Sequence, residues 1–496
     1  MVERVLRSQA CGLGRLRHRA GTFSLRAMLP HRLSNQFFFQ VIVIDGRWWN
    51  IKRAVRSRNS EMPRKQFFPD AVIKSLPAIR LYLASTSMLT IGIAAQSIGF
   101  VVLARWLGSD QFGHLSMITA ATNLGGAWCG LGTGEAMRRR AGREPALYPQ
   151  LLGHSLILLL VSGAVLTLVM SVAIASFITI AANPVESYAV IALLVSSNIV
   201  LFAWIGLTEQ ILLAHSQFTR ANLLNSGFGI ARAVTALVAC LGFDIDNLAA
   251  WALWNFASFS VGSLTCACLL FRYGAPHWRL LWDEIPLGVT LSISGSIAAL
   301  RQNVDLLALS AMAPPHLVGA YGVARRVLGV AVVTGASLDR QIYAKLAIAG
   351  KSGPAATLCL ARRYVIYAIG LTSLTSTTIF VLAPLLPLLF GKDFGDMVWI
   401  VRVLCWTLIL TAVQFVAFDA INAADQHRVR LIVGTVIGLA GAALIVGLSL
   451  AFGTTGTFVA VYAAEIATAA ALWTTLKLLS DRQQRRQSIS SVGAAE

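Results

Sequence analysis

VVLARWLGSDQFGHLSM (101–117) has a counterpart in LALSAMAPPHLVGAYGV (307–323), with Phe112-Gly113 answering Val318-Gly319 at an offset of 206 residues. A second pair, LLAHSQF (212–218) and INAADQH (421–427), closes one apolar segment in each half at an offset of 209. Two nearly equal offsets show that the chain repeats itself once. Between about Leu81 and Leu479 it is a train of apolar stretches, each roughly 20 residues long, the length of one helical crossing of a bilayer. A fixed-offset repeat of spanning segments is the pattern of a transporter with a central cavity between two lobes.

Composition agrees. Of 496 residues 56% are hydrophobic and 13% charged, and the mean hydropathy is +0.69, too apolar for the surface of a soluble domain this long. Alternating segments of about 10 residues, the mark of a β-barrel, do not occur. The expected fold is therefore all-α and polytopic, with about twelve transmembrane helices in two pseudo-symmetric lobes of six. The spans fall near 80–103, 114–133, 149–180, 188–213, 218–242, 247–271, 286–311, 317–338, 364–390, 396–423, 430–452 and 456–479. This gives a first lobe over 76–271, a basic linker over 272–285, a second lobe over 286–480 and a tail over 481–496.

The net charge of +19 raises nucleic acid as a partner, but its placement argues for topology instead. Arg138, Arg139, Arg140 and Arg143, then Arg220, Arg272 and Arg279, fall in alternate loops. Lys345, Lys351, Arg362 and Arg363, then Arg428 and Arg430, continue the series. The intervening loops hold Glu186, Asp244, Asp246, Asp393 and Asp396, with only Arg105 and Lys392 at their edges. That asymmetry is the positive-inside rule, and it predicts both termini in the cytoplasm. Ser109, Ser187 and Thr454 then lie in outer loops, Gly142 and Ser352 in inner ones. Residues 1–75 carry fifteen Lys/Arg against four acids and no run long enough to span; they read as a disordered basic extension or a start assigned too early. Cys266 and Cys268 are two apart on a helix and point to different faces, so no CxxC metal or redox pair is read here.

Ionisable residues at membrane depth are costly unless they face a cavity or a partner, so they are the candidate site. Arg232 lies twelve residues past Arg220, about 18 Å into the bilayer at 1.5 Å per residue. Arg301 and Asp305 share a helix face; they line a substrate cavity or neutralise one another. Of the adjacent Arg325 and Arg326, one must point away from the face the other uses. Asn222 and Asn225 lie below Arg232, and Glu209 and Asp419, at matching places in the two lobes, are candidates for cation coupling. The excess of cations suits an anionic headgroup. There is no Walker A sequence, HExxH or long outer loop, so no ATPase, metal or membrane-hydrolase chemistry is expected, and no cofactor.

ARWLGSDQFGHLS resembles the R-x-L-G-x-x-x-F-G-x-x-S signature of the polysaccharide-transporter branch of the multidrug/oligosaccharidyl-lipid/polysaccharide (MOP) flippases. RQNVDLLALSAMAPPHLVGAYGVARRV (301–327), LLFGKDFGD (388–396), INAADQHRVR and FGTTGTFVAVYAAE (452–465) follow in that family's order, over about 80–480. The expected proline at the end of the eighth span is missing from LDRQIYAKLA (338–347), which leaves the bend of that helix in question. The resemblance implies a MATE-like fold in a bacterial inner membrane, working by alternating access. It implies a polyprenyl-pyrophosphate-linked oligosaccharide as substrate; the residues expected to bind it, from their place at membrane depth, are Arg232, Arg301, Asp305, Arg325, Arg326, Asn222 and Asn225. It also implies membrane lipids and polysaccharide polymerase machinery as partners and surface or exopolysaccharide assembly as the process. The alternatives are a cation-coupled multidrug antiporter, disfavoured by the absence of a carboxylate between Leu81 and Val102, and a membrane glycosyltransferase, disfavoured by the short loops.

Overall fold

The computed structural model describes residues 69–180 and 183–492. The chain divides into Met1–Ala78 and Ile79–Glu496. Of the first unit residues 69–78 are described, and they are helical; the expectation for the rest of 1–75 lies outside the described residues. In the second unit the described residues form helices and no strand. Eight stretches are long and apolar enough to cross a membrane. Two of them are hairpins, turned at Gly108 (φ 71°) and Gly453 (φ 62°), left-handed positions that suit glycine. Two further helices, Ile285–Ser310 and Pro315–Gly350, are long enough but more polar, because they carry Arg301, Asp305, Arg325 and Arg326. Among the described residues this gives twelve helices long enough to span, in a multi-pass membrane protein.

They are named α1 (79–107), α2 (109–126), α3 (Tyr148–Ala175), α4 (Pro184–Ala214), α5 (Phe218–Gly242) and α6 (Leu248–Phe271), followed by α7 (Ile285–Ser310) and α8 (Pro315–Gly350). The last four are α9 (Pro354–Leu382), α10 (Met397–Ala423), α11 (427–452) and α12 (454–492). The second span ends earlier than its hydropathy suggests. Gly130, Leu131 and Gly132 all take positive φ, and the chain restarts as the short basic helix Thr133–Ala141. The eighth runs unbroken to Gly350. Pro384 and Pro387 divide the end of the ninth span into short turns after Leu382, as proline's missing N–H requires.

The repeat is visible as geometry. The α4–α5 turn places Ser216 at φ 58° and closes with Gln217 N–H on Leu212 C=O at 2.9 Å. The α10–α11 turn places Asp425 at φ 60° and closes with Gln426 N–H on Ile421 C=O at 3.2 Å. All three positions are related by the 209 offset. At the other anchor, α2 and α8 cross where a Cβ on Gly113 would stand 2.0 Å from Pro315 O, and one on Gly319 would stand 2.2 Å from Ser109 O. Ser109 and Pro315 are themselves 206 apart, so the contact is reciprocal about a pseudo-two-fold axis, and glycine is the residue that lets the backbones meet.

Around that crossing the lobes close on an aromatic cluster. Phe112 stacks edge-on against Phe100 (5.2 Å) and Phe394 (6.1 Å), and Phe390 completes it. Phe112, Phe390 and Phe394 are buried, and Arg105 Nη1 donates to Leu388 O at 3.2 Å across the lobes. At the arginine-rich end α7 starts against the α2 terminus, where Gly132 and Gly288 again bring backbones together. Arg140 pairs with the buried Glu284 at 2.7 Å. The 272–285 linker straps across α3, with His277 N–H on Pro149 O and Leu281 N–H on His154 Nδ1.

Two of the loop positions read as outer, Ser109 and Ser187, are buried, and Ser187 Oγ accepts from Ile180 N–H. Exposed neighbours report topology better. With the exposed Cys268 and Cys359 replaced, cysteines at Asp110, Glu186 and Asp246 are expected to react with an impermeant thiol reagent in intact cells. Those at Arg143 and Ser352 are expected to react only after lysis. The reverse labelling pattern contradicts the charge-based orientation.

Candidate functional site

Arg232 is placed by a seam of small residues. Gly92 and Gly99 of α1 sit against Ser226, Gly229 and Ala233 of α5, so closely that a Cβ at Gly99 would meet Ala233 Cα at 2.7 Å. This fixes the rotation of α5 and turns Arg232 toward α6, where its guanidinium lies over the Phe259 ring, 5.1 Å from the centroid. From the other lobe, Arg326 of α8 lies over Phe100 of α1 at 5.5 Å and comes within electrostatic reach of Arg232. Among the described residues neither has a carboxylate at ion-pair distance. Each cation–π contact contributes on the order of 0.5–2 kcal/mol. One guanidinium from each lobe therefore lies over an aromatic ring of the first lobe.

Arg325 goes the other way. Successive helical residues diverge by about 100°, and Arg325 turns into the second lobe, pairing Nε with Asp305 Oδ2 at 3.2 Å and donating Nη2 to Gln302 O at 3.0 Å. Tyr321, one turn earlier on α8, donates its hydroxyl to the same carboxylate oxygen at 2.6 Å, and both Tyr321 and Asp305 are buried. Arg301 and Asp305 do not neutralise one another. Arg325 and Tyr321 saturate Asp305, and Arg301 donates instead to Gln414 Oε1 of α10. Gln414 in turn donates Nε2 to Glu465 of α12 at 2.5 Å. Arg301, Asp305, Arg325 and Glu465 line a cavity of about 40 Å³ inside this lobe.

The remaining sequence-derived candidates are more dispersed. Asn222 is half-buried and Asn225 exposed, about three and two turns before Arg232. Glu209 and Asp419 are half-buried and lie outside the lining of the charged cavity. Asn303 of α7 accepts from Asn123 of α2 at 3.4 Å, a polar link across the lobes. Glu465 and Gln414 escaped the sequence reading, although a carboxylate inside an apolar span was signal enough. Phe100 and Phe259 carried no such signal, since aromatic residues are ordinary in membrane helices. No group of three or more His, Cys, Asp or Glu suited to a metal occurs among the described residues.

No family model matches the chain, and no curated protein matches it. Solved structures do. An inward-facing multidrug resistance transporter of the MATE family, MOP superfamily, superposes with a TM-score of 0.64 at 16% identity, covering 81% of this chain and 99% of its own. An outward-facing MATE transporter gives 0.55 at 19%, covering 82% and 96%. A MOP superfamily transporter from Pyrococcus furiosus, described as having a binding pocket of reverse polarity, gives 0.55 at 18%, covering 81% and 95%. The fold is thus the two-lobed MATE-like fold, with six helices per lobe.

Proposed function

We propose that the protein is a flippase that moves a polyprenyl-pyrophosphate-linked oligosaccharide across a bacterial inner membrane by alternating access, supplying surface or exopolysaccharide assembly. The observation that carries this reading is the Arg232–Arg326 pair, two guanidiniums from opposite lobes with no carboxylate partner among the described residues. A diphosphate bridging them replaces repulsion with two charge-assisted, bidentate contacts. The MATE and MOP neighbours are transporters, and the two MATE structures are caught facing opposite ways, which supports alternating access on this fold. They do not choose a substrate, because pocket polarity differs within the superfamily by the description of the archaeal neighbour. The isoprenoid tail stays in the bilayer while the headgroup crosses between the lobes.

The purified chain in lipid nanodiscs is expected to bind farnesyl diphosphate, a short isoprenoid diphosphate, about 100-fold or more tightly than farnesol. Two charge-assisted contacts of about 1.5–3 kcal/mol each set that ratio. Inorganic pyrophosphate should compete. Equal affinity for the alcohol contradicts the reading, and binding of a lipophilic cation in place of the diphosphate favours the multidrug antiporter.

A further inference from the structure

The first lobe carries a second cavity, a groove of about 410 Å³ between α3, α4 and α6, within the roughly 300–1,000 Å³ of sites that hold a small molecule. Its floor is one stripe of α4, Tyr188, Ala192, Ser196 and Val200, each a turn from the next and small at the centre. Thr167 and Ser171 of α3 lie on one bank and Phe256 of α6 on the other. Val165, Val169 and Val172 beside that first bank are exposed, so the groove opens toward lipid. At its base α4 loosens into a π-bulge over Ser197–Leu201, an irregularity common at functional sites. Two hydroxyls on the α3 bank lack a partner. Thr167 Oγ1 and Ser171 Oγ are buried and unpaired among the described residues, and Ser171 is 0% exposed. A helical Ser or Thr in apolar surroundings can donate to the carbonyl one turn earlier. Ser162 of α3 does so, on Leu158 O at 2.6 Å, as do Thr372, Thr375 and Thr378 of α9, the corresponding span of the second lobe. Two open donors on one bank of a groove point to an acceptor that a ligand supplies.

We propose that this groove binds a glycerophospholipid, one acyl chain lying along the α4 stripe and its ester carbonyl accepting from the Ser171 and Thr167 hydroxyls. Side chains four apart on a helix stand about 5–6 Å from one another at Cβ, close enough for both hydroxyls to converge on one oxygen. Depth agrees. α3 has 28 residues, about 42 Å at 1.5 Å per residue, against a hydrocarbon core of about 30 Å. Centred, it projects about 6 Å at each end, so Ser171, four residues before Ala175, falls at the hydrocarbon boundary, the level of ester carbonyls. Tyr188, four residues after Pro184, stands at the same boundary, where aromatic residues concentrate. From there to Val200 is twelve residues, about 18 Å, enough to cross the hydrocarbon of one leaflet. An isoprenoid chain would suit the floor but brings no carbonyl, and no charged residue lines the groove to receive a diphosphate. The site therefore stands apart from whatever crosses between the lobes.

Photo-crosslinking of the full chain in nanodiscs tests it, with a phosphatidylethanolamine that carries a diazirine on one acyl chain and labelled peptides mapped by mass spectrometry. Labelling is expected to concentrate on residues 164–171 and 192–201. Ala192→Phe, which fills the floor of the groove, is expected to lower it about tenfold or more. Labelling spread evenly over the lipid-facing helices, or unchanged in Ala192→Phe, overturns the site. The second arm is competition by unlabelled lipids that differ only in ester or ether linkage. The net worth of a neutral hydrogen bond makes the ester lipid roughly 2- to 12-fold the better competitor in wild type. The double variant Thr167→Val, Ser171→Ala leaves the groove open and is expected to favour neither. Equal competition in wild type, or an ester preference kept by the double variant, overturns the carbonyl contact. Displacement of the probe by farnesol more readily than by the ester lipid overturns the choice of occupant.

Discussion

Arg232→Gln is expected to stop export of surface polysaccharide, with transport down about 100-fold or more at matched membrane levels. Truncating one partner of a desolvated charge contact costs about 2–5 kcal/mol. Arg232→Lys should keep partial activity, since it retains charge and loses the bidentate fork. The stability arm separates this reading from a structural role. Arg232 has no carboxylate at ion-pair distance among the described residues and gives up only its cation–π contact with Phe259, so the Gln variant should melt close to wild type. A lower melting temperature together with lower abundance would mean that Arg232 holds the fold. Arg326→Gln should match the single variant, and the double variant should lose little more, because residues acting on one ligand are not additive.

The second large effect is expected where the repeats meet. Gly113→Val, or the equivalent Gly319→Val, forces a side chain into a space where the first carbon alone would lie about 2 Å from a carbonyl oxygen of the opposite lobe. No rotamer relieves a backbone clash, so the lobes must separate. Overpacking of this kind costs at least about 1–3 kcal/mol and also opens the aromatic cluster around Phe112 and Phe394. Both variants should show a markedly lower melting temperature in detergent and a newly reactive cysteine at Ser109, which is buried in the wild type. An unchanged melt with Ser109 still protected would show that the crossing is looser than the reciprocal contacts indicate.

Much of the fold was legible because its devices are periodic. Span length, the loop charges and the two repeat offsets are one-dimensional signals, and the offsets reappear as the turns at Ser216 and Asp425 and the crossing of Gly113 with Gly319. The more polar spans α7 and α8 were still read as apolar stretches near 286–311 and 317–338. The site was legible only as a set of charges. Sequence spacing put Arg301 beside Asp305, but which of two neighbours an acid chooses depends on what the next helix presents, here Tyr321 and Arg325. The divergence of Arg325 and Arg326 followed from helical geometry, whereas their destinations did not. Glu465, a carboxylate inside an apolar span, was legible and passed over, whereas Gln414 became informative only once α10 was seen to link Arg301 of α7 to Glu465 of α12.

The central claim is best tested by translocation in proteoliposomes. The full chain is reconstituted with a fluorescent undecaprenyl-diphosphate-linked saccharide, and loss of label from one leaflet is followed with a membrane-impermeant quencher. Wild type is expected to move the lipid far faster than empty liposomes, and Arg232→Gln at equal incorporation is expected to fall to the empty-liposome rate. Wild-type translocation no faster than in empty liposomes, or an undiminished rate in Arg232→Gln, contradicts the account.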